Sequence, residues 1–154
     1  MARPAELRVS AALLGAWSLY QLLAGIYFIF LRPSFLPEDM RASGTSLEAV
    51  RSAAPGIEAW LQRVFAVLGG QMVAVGVLVI GGAVSIGQGR DPMRTEVVAY
   101  AVAGAFSVVV MSGVNFALVS DFRWLLVAPV ILWLAAIIFL WRRAQGSAAD
   151  DRRE

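Results

Sequence analysis

The sequence predicts an all-α membrane protein: a four-helix transmembrane bundle with a partly helical external loop between helices 1 and 2. Hydrophobic residues make up 59% of the 154 residues and charged residues only 16%, with a mean hydropathy of +0.71. Soluble domains carry about 25% charged residues. Charged residues are also absent from four runs of at least 18 residues, each long enough to cross a bilayer. We assign a single integral membrane domain with spans at about 9–31, 57–87, 92–120 and 124–141.

The external loop, residues 32–56, follows the first span and contains two short helix signals. An acidic pair directly after Pro37 suits the positive end of a helix dipole, and Gly44 ends that helix. Thr45 and Glu48 have the spacing of a capping box, which predicts a second short helix. The loop is either a connector folded onto the end of the bundle or a lid over a cavity.

The boundaries of the later spans come from breaker residues. The second helix is expected to begin at Ile57, after a Pro-Gly pair. Asp91 followed by proline predicts an N-cap and a third helix that begins at Pro92. Only residues 121–123 interrupt the apolar sequence before the fourth span, which predicts a tight hairpin between antiparallel neighbours.

The fourth span is bracketed by Trp124 and Trp141, and indole rings prefer the membrane interface. Pro129 lies one turn inside this predicted span, so we expect a kink there. Residues 142–154 follow as a polar tail.

The arginines predict the orientation. Eight lie on the side of the two termini and five on the side of the external loop. Basic residues near helix ends favour the cytoplasm, so we expect both termini and the tail 142–154 to be cytoplasmic. All 13 basic residues are Arg, which is typical of a GC-rich bacterial genome and favours a bacterial inner membrane.

The absence of His and Cys excludes several classes of site. Imidazole or thiolate metal centres, bis-His haem, Ser-His-Asp catalysis and thiol chemistry all need these residues. We therefore expect no cofactor, no metal and no catalytic group, which argues against an enzyme. Nucleic acid is not an expected partner, because the net charge is only +2 and the arginines lie in short loops and tails.

Polar side chains within the spans are the candidate site. They are Gln21, Gln71, Ser112 and Asn115. An amide that faces lipid leaves its polar atoms without partners, so these residues should point into the bundle, in its outer half. They either hydrogen-bond across helices and hold the bundle together, or line a ligand cavity. Small residues of the second span, including Gly70, Ala74 and Gly81, are expected to share that inward face.

The layout of the chain and the string Phe-Leu-Pro-Glu-Asp at 35–39 resemble small four-span bacterial inner-membrane proteins of the DoxX-like kind. Some DoxX relatives are membrane partners of redox systems. The resemblance therefore implies a partner role in the membrane more than catalysis.

Two functions remain open from the sequence. The first is a non-enzymatic partner or accessory subunit that docks in the lipid bilayer on another membrane protein or on a second copy of itself. The second is a small-molecule or lipid-binding protein, or a minor transporter, with a polar cavity for a lipid or other apolar ligand.

Overall fold

Four long apolar helices dominate the computed structural model, which describes residues 4–150. The helices are α1 (Pro4–Phe30), α2 (Pro37–Ser43), α3 (Leu47–Ala53), α4 (Ile57–Gly87), α5 (Arg94–Gly104), α6 (Val110–Ala117) and α7 (Val127–Asp150). A π-helical segment, Ala105–Val109, joins α5 to α6, and together they form the third span, Arg94–Ala117. No strand occurs among residues 4–150, which confirms the all-α bundle. The four long helices make this a multi-pass membrane protein.

The helices α1 and α4 form the most extensive contact, and glycines allow it. Gly25 and Gly69 face each other so closely that a Cβ added at Gly69 would lie 2.5 Å from the Gly25 carbonyl oxygen. Leu22 packs against Gly76 two turns along α4. Small residues let membrane helices approach backbone to backbone, where dispersion contacts and not the hydrophobic effect hold them together.

The inward face of α4 differs from the predicted one. Gly70, Gln71, Ala74 and Gly81 are exposed, so Gln71 does not point into the bundle as expected. The buried residues of α4 are Gly69, Gly76, Val79, Ala83 and Ile86. The expectation was wrong because apolar and small residues surround α4 on every side. Its sequence therefore carries no contrast that could mark the inward face.

The helix α7 holds the third span against the rest of the bundle, since it packs on both α1 and α5. Trp133 of α7 is seated against Gly104, where a Cβ would collide with the indole. The Trp133 Nε1 donates to the Tyr100 carbonyl oxygen at 3.1 Å. The π-helical turn begins directly after Gly104, and Val110 N–H bonds to the Ala105 carbonyl five residues back.

The bundle is packed more tightly at one end than at the other. We call the end with the start of α1 and residues 88–93 the terminal end, and the end with residues 31–56 and 118–126 the loop end. The buried apolar core lies in the middle and towards the terminal end. It comprises Leu7, Leu14, Trp17, Val79, Ala83, Ile86, Val97, Val108, Trp133, Ala136, Leu140 and Ala144.

The third span begins two residues later than predicted, at Arg94. Met93 is the N-cap, and its N–H donates to the Glu96 carboxylate at 3.0 Å. Asp91, the expected cap, accepts from Arg143 of α7 at 2.8–2.9 Å and is not available to the helix.

The connection to the fourth span is longer than the predicted hairpin. Turns occupy most of residues 118–126, and α7 begins at Val127 instead of Trp124. Pro129, where we expected a kink, lies in the first turn of α7. The N–H that proline lacks would have pointed to Leu125, which precedes the helix, so no bond within α7 is lost. The third and fourth spans are antiparallel neighbours, as predicted. The expected tail is helical through Asp150, and 151–154 lie outside the described residues.

The external loop contains both predicted short helices. The first, α2, ends at Gly44, which adopts the left-handed conformation (φ 65°) that glycine tolerates. The second, α3, is capped by Ser46 and not by Thr45, since the Ser46 hydroxyl accepts from the Ala49 N–H at 3.1 Å.

Candidate functional site

A cleft separates α4 from the third span. The two helices meet near the terminal end, where Gly82 leaves room for the Tyr100 side chain, and make only sparse contact elsewhere. The space between them amounts to about 600 Å³. Nine apolar and three polar residues line it: Phe28, Leu68, Gln71, Met72, Val75, Ala103, Phe106, Ser107, Val110, Met111, Val114 and Asn115. The cleft is open at the side, where Phe106 is 75% exposed.

Two of the four predicted site residues lie in this cleft. Gln71 and Asn115 line it from opposite helices, and the Asn115 Nδ2 donates to the Met111 carbonyl at 2.9 Å. Ser112 points away from the cleft and donates to the Leu126 carbonyl at 3.0 Å, which ties α6 to the 118–126 connection. Gln21 is fully buried in α1. Among the described residues, no hydrogen bond joins any two of these four side chains.

Ser107 lies in the cleft although the sequence did not single it out as a site residue. Its hydroxyl oxygen is buried and has no hydrogen-bond partner among the described residues. Ser107 belongs to the π-helical segment, and such segments occur frequently at functional sites. A serine inside an apolar run could have indicated a site residue. However, the π-helical turn that directs Ser107 into the cleft cannot be recognised from the sequence.

Gln21 is the second unpartnered polar group. Its side chain is 0% exposed, and neither its amide nitrogen nor its oxygen has a partner in the described part of the chain. Trp17, one turn earlier on α1, is equally buried, and its indole N–H is also unpaired there. Buried polar atoms without partners are rare in native proteins and call for an explanation.

The external loop begins above the mouth of the cleft. The Arg32 guanidinium stacks 3.6 Å from the ring centre of Phe65 and 5.4 Å from that of Phe28, a lining residue. It also approaches the Asp39 carboxylate at 3.8 Å. Burial lowers the pKa of Arg32 below its ordinary value, and Asp39 opposes that shift. Ser34 donates to the Glu58 carbonyl at 3.0 Å and so attaches the loop to α4.

The part of the loop that forms α2 is attached to the 118–126 connection. The Ser120 hydroxyl donates to the Glu38 carboxylate at 2.7 Å, and Glu38 is only 2% exposed. Val119 adopts a left-handed conformation (φ 51°), rare for a β-branched residue, where the chain turns into Ser120. Arg41 pairs with Asp121 at 3.3 Å on the surface. The loop therefore bridges the loop end and leaves the cleft open at its side.

We expect Ser120→Ala to release α2 from the 118–126 connection. The buried Glu38 carboxylate would lose its bond to Ser120 Oγ, which costs roughly 1–3 kcal/mol. Arg41→Ala removes the exposed pair with Asp121 and should cost no more than about 1 kcal/mol. Hydrogen exchange of the amides of residues 37–43 measures both effects. Equal protection in the two variants would contradict the assignment of Glu38–Ser120 as the main attachment.

Comparisons with known proteins identify no relative of this chain. The chain matches no known protein family, no curated protein and no solved structure. Within the described residues, no group of three or more Asp or Glu side chains is placed to hold a metal ion.

Proposed function

We propose that the protein binds an elongated apolar molecule, taken from the bilayer, in the cleft between α4 and the third span. The proposal rests on one observation: the two helices meet where Gly82 accommodates Tyr100, and a cleft separates them elsewhere. Neighbouring membrane helices without a ligand to accommodate gain dispersion energy by packing along their length. Here α7 and α1 hold the third span and α4 apart over the half of the bundle that contains the apolar lining.

The dimensions of the cleft suit a small molecule. Ligand pockets measure about 300–1,000 Å³, and the cleft holds about 600 Å³. The lining from Ala103 to Asn115 extends over roughly 18 Å, which suits a hydrocarbon chain.

The entrance supports a ligand that comes from lipid. The loop is attached to α4 through Ser34 and to the 118–126 connection through Glu38, so it covers the end that faces water. The side of the cleft between Leu68 and Val110 stays open, and these residues are 46% and 52% exposed. In a membrane that side faces acyl chains. A bilayer-soluble ligand can therefore enter without crossing water, and the loop acts as a fixed roof.

The setting we propose is a bacterial inner membrane with both termini in the cytoplasm. Eight arginines on the terminal side against five on the loop side support this orientation. The cleft would then open in the outer half of the bilayer. The DoxX-like layout supports the same setting, and a role as a partner that presents a bound lipid to another membrane protein agrees with it.

Retention of native lipid tests the proposal. Val110→Trp places an indole in the cleft, and Val102→Trp places one on the same span outside the lining. The two valines are matched, at 52% and 51% exposure. We expect the full-length protein in mild detergent to keep a lipid-sized molecule in native mass spectra, and Val110→Trp to lose it while Val102→Trp keeps it. Equal retention in all three proteins would contradict the cleft as the binding site.

A second candidate function, docking on another membrane helix, is supported by the outer face of α4. Gly70, Ala74 and Gly81 form an exposed stripe there, and nothing lies within 4 Å of a Cβ at either glycine. A partner helix could approach closely along it. Because the chain has no Cys, Ala74→Cys tests the self-association case cleanly: a disulfide-linked dimer in native membranes would support a homo-oligomer, and a monomer would argue against one.

A further inference from the structure

The unpartnered amide of Gln21 lies at the depth of the inner end of the cleft. Leu22 packs against Gly76, so Gln21 is level with about Val77 of α4. The contact of Gly82 with Tyr100 places Val77 opposite about residue 105 of the third span. In depth, Gln21 is therefore within about one turn of Ala103 and Ser107, which line the inner part of the cleft on that span.

The face of α1 on which Gln21 lies is the face that reaches the cleft. Phe28, a lining residue, comes seven residues after Gln21, and residues seven apart share one side of a helix. Gln21 is thus two turns below Phe28 on the same side. Ser107, whose hydroxyl is likewise buried and unpartnered in the described part of the chain, contributes from the third span. The inner end of the cleft therefore has two unpartnered polar groups at its depth: Ser107, which lines it, and Gln21, which lies outside the lining on the α1 side.

We propose that the ligand is an apolar chain with one neutral hydrogen-bonding end group, a hydroxyl or a carbonyl, and that it binds with this end group innermost, at Gln21 and Ser107. This inference rests on the proposed function. The glutamine amide offers both donors and acceptors, and the serine hydroxyl can serve as either. A single hydroxyl or carbonyl oxygen can therefore satisfy groups that an alkyl end would leave unpaired at a cost.

The absence of charge within the lining excludes an ionised end group at that depth. Of the residues that form the cleft wall, none is Asp, Glu or Arg. An ion buried there without a counter-charge would carry a prohibitive desolvation cost. A phospholipid fits poorly for the same reason. Its headgroup cannot enter, and its acyl end would lie beside the Ser107 hydroxyl without pairing it.

Three probes of similar chain length test the inference in the full-length, detergent-solubilised protein: 1-hexadecanol, hexadecane and dioleoylphosphatidylcholine. The amount retained after gel filtration is measured by mass spectrometry, and retention by Val110→Trp is subtracted as non-cleft binding. We expect 1-hexadecanol to be retained about tenfold more than hexadecane, as one satisfied buried hydrogen bond implies. Gln21→Leu should bring this ratio to about one, and Ser107→Ala should lower it, while both variants still retain hexadecane.

Thermal unfolding distinguishes a ligand group from a structural one. Gln21→Leu replaces an unpartnered amide by an apolar side chain of similar size, so we expect an unchanged or higher melting temperature without probe. A large loss of stability would overturn the inference and make Gln21 a structural residue. Equal cleft retention of hexadecanol and hexadecane, or a preference for the phospholipid, would overturn it while leaving the proposed function intact. Absence of cleft binding for every probe and for native lipid would overturn both.

Discussion

Gly69→Ala is expected to destabilise the bundle by about 2–3 kcal/mol, within the usual range for overpacking of a closely packed contact. The added methyl group would lie 2.5 Å from the Gly25 carbonyl oxygen and 2.7 Å from Ile29 Cγ1. Backbone atoms cannot rotate away as a side chain can, so α1 and α4 must separate along their whole contact. Thermal unfolding of the purified protein measures the loss.

The neighbouring glycine provides the control. Nothing lies within 4 Å of a Cβ at Gly70, which faces outward. Gly70→Ala should leave the melting temperature unchanged or raise it, since alanine favours a helix over glycine by up to about 1 kcal/mol. If the two variants unfold at the same temperature, the α1–α4 interface described above is incorrect.

Gly104→Ala is the second change with a large expected effect. Its methyl group would collide with the Trp133 indole, break the bond from Trp133 Nε1 to the Tyr100 carbonyl, and push α7 away from the third span. We expect a loss of about 2–3 kcal/mol, again as overpacking of a buried contact. Lipid retention should fall as well, because the π-helical turn that begins after Gly104 directs Ser107 into the cleft.

Gly113 supplies the matched control on the same span. A Cβ there meets nothing within 4 Å, so Gly113→Ala should leave the melting temperature unchanged or raise it, as at Gly70, and should not change lipid retention. Were Gly104→Ala as stable as Gly113→Ala, the Trp133 contact would not be what holds the third span in place.

The four spans could be predicted from sequence because the hydrocarbon core imposes a simple rule on length and charge. The fourth span shows where this rule fails, because its apolar run and its helix begin at different residues. Trp124 belongs to the apolar run but not to the helix, since Pro129 prevents the helix from extending that far back. Hydropathy records where the chain is apolar, and the backbone hydrogen bonds decide where it is helical.

The packing could not be predicted, and Gly69 and Gly70 show why. Both are glycines in an apolar run, yet only Gly69 contacts another helix. In water the buried face of a helix is the apolar one, but in a membrane the lipid-facing side is equally apolar. The inward face is then decided by shape, here by the fit of Gly69 to Gly25 of α1, which lies 44 positions earlier in the chain.

The candidate site was found only in part. Gln71 and Asn115 were identified because amides are rare inside apolar spans, and the structure places them on opposite walls of one cleft. Ser112 has the same polarity but bonds to the Leu126 carbonyl, a partner that exists only because the connection returns beside α6. Ser107 was not among the predicted residues, and its place in the cleft depends on the π-helical turn.

A cryo-electron microscopy structure of the full-length protein in lipid nanodiscs tests the central claim most directly. We expect elongated density between α4 and the third span, in contact with Phe28 and Val110 and reaching inward towards Ser107. A helix of another chain in that position, or direct packing of α4 against the third span along its full length, would contradict the account.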